Sequence, residues 1–171
     1  MESRSSSDLF ALLGLPAQFD IDASVIERAF HEKSRDVHPD RFASAPANER
    51  VAALSRSRAL NDAYQQLKKP VGRAQHLLER AGVTIGDNER LDPASIMEVM
   101  EAREELASAK GDTAAVEKLQ TAMQAKRKAA LDQLPALFAA HDMAGVKGVL
   151  INLRYIDRYL EECDAALSED D

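Results

Sequence analysis

The chain of 171 residues holds one cysteine, no tryptophan, 7 glycines and 6 prolines, and only 5% of it is aromatic. Cys163 alone cannot close an intramolecular disulfide, and no cysteine pair exists to hold zinc or a cluster, so a reducing compartment is expected. Collagen, disulfide scaffolds and disordered low-complexity chains are excluded by the same counts. No apolar run approaches the roughly 18 residues of a membrane helix. The opening segment, MESRSSSDLFALLGLP, is too polar and its apolar run too short for a signal peptide, so the protein is expected to stay where it is made. Strand signals are nearly missing as well: apolar positions recur at three and four rather than at two.

What is present is an ordinary globular mixture, 45% hydrophobic and 30% charged, long enough for one domain or two small ones. The net charge of -7 is unevenly spread. Through Gln75 there are 11 Lys and Arg against 10 Asp and Glu; from His76 onward there are 11 against 19. The two halves, at +1 and -8, therefore face different electrostatic partners. With a sequence pI near 5.2 and no basic stripe, a nucleic-acid partner is not expected.

The pattern predicts an all-α fold. A short helix from Asp8 to Leu13 stops at Gly14-Leu15-Pro16, and Asp22 or Ser24 caps a second helix that ends at about Asp36, ahead of Pro39. After the loop DVHPDRF, a third helix runs from near Pro46 to about Lys69, and Pro70 opens a fourth over RAQHLLERAG. GVTIGDNERLD reads as a linker. Asp92 and Pro93 then start a helix to Lys110, another begins at Asp112 or Thr113 and is kinked or ended by Pro135, and a last one runs from Asp142 to about Leu167. The last carries Val146, Val149, Leu150, Leu153, Ile156, Leu160, Cys163 and Leu167 along one bundle seam. The expected division is residues 1–7 disordered, 8–80 and 92–167 as two helical parts joined by 81–91, and 168–171 a frayed tail.

Two surfaces stand out. On the second helix Ile26, Phe30 and Val37 share one face, while Arg28, His31 and Arg35 fall on the other and lead into His38-Pro39-Asp40. Pro39 stiffens that turn, His38 offers a titratable donor, and Asp40 an acceptor able to grip a partner's arginine. Such a face suits an acidic partner; it is also what a solvated helix ending in a proline turn presents. On the helix DPASIMEVMEAREELASAKG, Val99, Ala102 and Leu106 cluster on one side and Met97, Met100, Glu101 and Glu104 on another, with Ile96 between. The methionines either finish the core or form an adaptable apolar patch rimmed by acid. Tyr155 and Tyr159 fall roughly opposite the last helix's seam, beside Arg154. A His/Asp pair could exchange protons, but it has no accompanying nucleophile or phosphate-binding loop, so an enzyme is not expected. The four histidines and Cys163 lack metal-ligand spacing, and no cofactor is expected.

The segments LFALLGLPAQFDID, VIERAFHEKSRDV, HPDRF and SRALNDAYQQL together resemble a J domain, the antiparallel helical hairpin with an HPD loop by which co-chaperones activate DnaK-type ATPases. Over almost the whole chain, GLP, HPDRF-A, KKPVGRAQHLLERAG, IMEVMEAREEL and LRYIDRYL are similar to the iron–sulfur cluster co-chaperone HscB family. That resemblance implies an L-shaped protein: a J domain engaging the chaperone HscA, and a carboxy-terminal three-helix bundle binding the cluster scaffold IscU. It implies that Arg28, Arg35, His38, Pro39, Asp40 and Arg41 meet the chaperone, and that Ile96, Met97, Met100, Glu101, Glu104 and Tyr155 meet the scaffold. Ser95 and Ser108 replace bulkier or acidic residues expected there, and Glu32 borders the basic face. Eukaryotic relatives often carry a Cys-rich amino-terminal extension that is not seen here, which favours a bacterial, cytoplasmic member without a membrane partner. A general J-domain co-chaperone for unfolded clients is the alternative.

Overall fold

The computed structural model describes residues 8–169; residues 1–7, expected to be disordered, lie outside it, as do the last two of the tail. Among the described residues there are seven α-helices, one 3-10 turn and no strand. The helices are α1 (Leu9–Leu13), α2 (Ala23–Asp36), α3 (Ala47–Leu67), α4 (Pro70–Arg80), α5 (Pro93–Ala109), α6 (Thr113–Ala139) and α7 (Met143–Glu169). They fall into two compact units, Met1–Gly82 and Val83–Asp171.

In the first unit α2 and α3 form a hairpin against which α1 and α4 pack. Asp22 caps α2 through Ser24 N–H at 2.8 Å, and Asp8 caps α1 through Phe10 and Ala11 N–H. Gly14 ends α1 in the left-handed region (φ 69°), where its lack of a Cβ avoids strain. Phe10, Leu13, Ile26, Val37, Leu60, Ala63 and Leu67 form the core, each large side chain contributing about 1.5–3 kcal/mol by leaving water. Two polar side chains inside this unit join distant segments. Arg73 donates to the carbonyls of Phe19 (2.8 Å), Leu67 (3.0 Å) and Ile21 (3.2 Å), pinning the α1–α2 loop to α4. His76, fully buried beside Phe10, accepts the Leu9 N–H at Nε2 (3.1 Å), so α4 helps to cap α1. Gly72 lets the start of α4 close on the end of α3, since a Cβ there would stand 2.4 Å from the Gln66 carbonyl oxygen.

In the second unit α6 and α7 make a long hairpin, and α5 packs on both. Of the two outcomes expected at Pro135 one is excluded, and two further expectations are corrected. Pro135 does not end α6, which runs on to Ala139: Leu134 is fully buried, and Leu137 reaches the α7 backbone at Gly145, so packing outweighs the one backbone hydrogen bond that proline removes. Ser168, expected in the frayed tail, is helical, its hydroxyl donating to Asp164 O at 2.8 Å. Tyr159, expected opposite the seam of the last helix, is buried with Leu106, Val116, Cys163 and Ala166, because α5 covers a second side of α7 that the single-seam pattern left open. Residues 83–91 carry no helix but are not free: Glu89 pairs with Lys147, and Arg154 donates to Gly86 O at 3.3 Å.

Candidate functional site

Within DVHPDRF, expected to be a loop, Pro39–Phe42 forms a 3-10 turn. Proline's fixed φ and missing N–H suit the first position of such a turn. His38 caps it: Nδ1 accepts the Asp40 N–H at 3.3 Å and lies 3.5 Å from Asp40 Oδ2. A ring nitrogen that accepts an N–H carries no proton, so the ring presents its Nε2–H outward and the carboxylate contact is not an ion pair in that tautomer. The Asp40 side chain is 90% exposed, with its charge available to a partner. Just before the turn, Val37 is buried in the core of the hairpin and fixes where His38 emerges.

Arg28 and Arg35 are both exposed on the outward side of α2, as the helical wheel requires, with Arg28 Nε donating to Ser24 O at 3.4 Å. Arg41 is different. Its Nη1 donates to Arg35 O and to Asp36 Oδ1, both at 3.2 Å, so this guanidinium folds back onto the end of α2. Sequence spacing gave no signal of that bond, because it crosses the helix end where the 3.6-residue period stops.

The second surface is built on α5. Asp92 caps the helix through Ala94 and Ser95 N–H (3.1 Å each) and accepts from Ser95 Oγ at 2.6 Å; these bonds, led by the one from the Ser95 hydroxyl, hold its carboxyl below the usual range. Leu106 is buried, and Arg103 joins Glu162 of α7 at 2.9 Å, so the side carrying Ala102 and Leu106 faces inward. The opposite side is open. Met97 is 62% and Met100 58% exposed, and Glu101 and Glu104 are exposed beside them. Ile96 is half-buried at the edge of this patch. Tyr155 of α7 is half-buried and shares a cavity of about 260 Å³ with Ser95, Val99 and Ala102, which sets it beside the inward side of α5. Glu101, Glu104, Glu105 and Ser108 also line an open cleft against Lys118 of α6, so the acidic rim continues past the methionines.

Cys163 lies wholly in the bundle core. Burial, and then the nearby Asp164 and Glu162 carboxylates, push its thiol above the ordinary value, which leaves little thiolate to bind metal. Among the described residues no group of three or more His, Cys, Asp or Glu is placed to hold a metal ion, and no helix is long and apolar enough to cross a membrane.

Comparison with known proteins agrees along the chain's length. The family model described as the HSCB C-terminal oligomerisation domain matches residues 91–164. The Co-chaperone protein HscB homolog of Bordetella petrii is 37% identical over 165 residues, 95% of this chain and 97% of the relative; that of Aromatoleum aromaticum is 34% identical over 94% and 93%. Among solved structures, the chaperone HscB from Vibrio cholerae superposes with a TM-score of 0.84 at 32% identity, covering 95% of this chain and 99% of its own. Human co-chaperone protein HscB does so at 0.86 and 27%, covering 96% and 84%. The all-helical order, the exposed HPD turn between α2 and α3, and this identity across nearly the full length of both chains place the protein in the HscB co-chaperone family.

Proposed function

We propose that the chain is an adaptor in iron–sulfur cluster assembly, holding the scaffold IscU on α5 and presenting the HPD turn to the DnaK-type chaperone HscA. His38, Pro39 and Asp40 trigger hydrolysis of ATP by the chaperone, with Arg28, Arg35 and Arg41 meeting its acidic surface. Ile96, Met97, Met100, Glu101, Glu104 and Tyr155 receive the scaffold. The protein itself carries out no chemistry; the hydrolysis belongs to its partner, in a bacterial cytoplasm. Two sites on one chain raise the local concentration of scaffold near chaperone, so that hydrolysis locks the chaperone onto that client.

The observation that supports this most strongly is the open methionine pair. A helix needs one apolar stripe to join a bundle, and α5 already spends Ala102 and Leu106 on it, so Met97 and Met100 serve something outside the chain. Methionine side chains adapt their shape to a partner, and the glutamates around them favour one that is basic as well as apolar. The basic side of α2 carries the opposite preference, so the two surfaces select different partners.

Titration of the purified protein with folded scaffold and with a reduced, unfolded model chain tests this reading. A saturable one-to-one complex with the folded scaffold alone is expected. Comparable binding of unfolded chains would make it a co-chaperone for misfolded clients in general.

A further inference from the structure

Asp36 sits in a place where electrostatics does not favour it. It is the last residue of α2, where the partial negative charge of the helix end disfavours a carboxylate. It also puts a negative charge next to Arg35 in the chain and in contact with Arg41, two of the residues proposed to meet an acidic partner. What it gains is Arg41: Oδ1 accepts from Nη1 at 3.2 Å, and the same nitrogen reaches the Arg35 carbonyl. Arg41 is the third residue of the 3-10 turn, and its N–H bonds His38 O at 3.0 Å, while Ala43 N–H bonds Asp40 O at 3.4 Å. The exposed turn is therefore held by buried Val37 before it, by its packing against α3 and by this clasp within it.

We infer that Asp36 is a positioning residue: through Arg41 it holds the His38-Pro39-Asp40 turn against the end of α2, in the conformation the chaperone reads. The inference rests on the proposed role of that turn. Its sign is opposite to that of a docking charge. A carboxylate that merely stands among basic residues weakens attraction to an acidic partner, so its removal would strengthen docking; a carboxylate that orders the turn gives the reverse.

The experiment measures ATP hydrolysis by the DnaK-type chaperone over a range of concentrations of the full chain, for wild type, Asp36→Ala, Asp36→Asn, Arg41→Ala and the Asp36→Ala/Arg41→Ala double variant. Alanine at the end of an exposed helix leaves the melting temperature unchanged or raises it, so the variants fold. Asp36→Ala lowers maximal stimulation about two- to fivefold, the range set by an exposed ion pair. Asp36→Asn, which keeps an acceptor oxygen, loses less, and Asp36→Ala has no further effect once Arg41 is alanine. Amide exchange at Arg41 and Ala43 speeds up in parallel. Stimulation by Asp36→Ala at lower concentration than wild type, or an effect that adds in full to that of Arg41→Ala, overturns the inference while leaving the proposed function intact. If wild type gives no stimulation, the proposed function has failed, and unchanged amide exchange in Asp36→Ala then overturns the clasp as well.

Discussion

The Nδ1 atom of His38 accepts the backbone N–H of Asp40 at 3.3 Å, so the histidine shapes the turn that displays the aspartate. The two side chains thus have unequal tasks. His38 caps, and Asp40, 90% exposed, is left to meet a partner. Asp40→Ala is expected to abolish chaperone stimulation while scaffold binding, circular dichroism and melting temperature stay as in wild type, since an exposed residue with no tertiary bond changes stability by about 0.5 kcal/mol or less. Loss of both activities with the fold intact would contradict this division of labour.

Met97→Ala with Met100→Ala should do the opposite. Truncating two adjacent exposed anchors is expected to weaken scaffold binding about 10- to 100-fold, read by calorimetry, with stimulation in the absence of scaffold unchanged. Because both side chains are mostly exposed and alanine favours helix, thermal stability should hold or rise slightly. A loss of stability would mean that they close the core instead.

Cys163 is a core residue. With its thiol buried and its pKa raised, the native chain should resist alkylation at pH 8 and react only as it unfolds, at the rate of unfolding. Rapid labelling of native protein would contradict the packing of α5 over α7.

The first unit should lose stability in acid through Asp8. Burial acts to raise that carboxyl, but Arg80 and the Ala11 N–H hold it below its ordinary 3.8. A carboxyl lowered in the folded state stabilises the fold above its unfolded pKa, and that contribution is lost as pH falls through 3.8 toward the lower folded value. Asp8→Asn keeps a cap but loses the charge. It should be less stable than wild type by up to about 1 kcal/mol near neutrality, with the gap closing below about pH 4 in urea titrations.

Helix starts were the most legible part of the fold, because Asp22, Asp92 with Pro93, and Pro70 each act on their own first turn. The α5 surface was legible only as a surplus of apolar residues: whether Met97 and Met100 finish the core or stay outside is decided by the packing of α5 through Ala102 and Leu106. The burial of Tyr159 was not legible, since a second partner for α7 arises only when α5 returns to it from about fifty residues away in sequence. The turn at Pro39–Phe42, the clasp of Arg41 on Asp36, and the reach of Arg73 to Phe19 and Ile21 were hidden too. Each depends on where backbone carbonyls and helix ends lie in space, which no side-chain period records.

The most direct measurement is steady-state ATP hydrolysis by the purified DnaK-type chaperone, with and without this protein and with and without scaffold, for wild type and His38→Gln. Stimulation that needs His38 and grows further when scaffold is added is the expected result. Stimulation indifferent to scaffold would contradict the role given to α5, and none at all would reduce His38-Pro39-Asp40 to a capped proline turn.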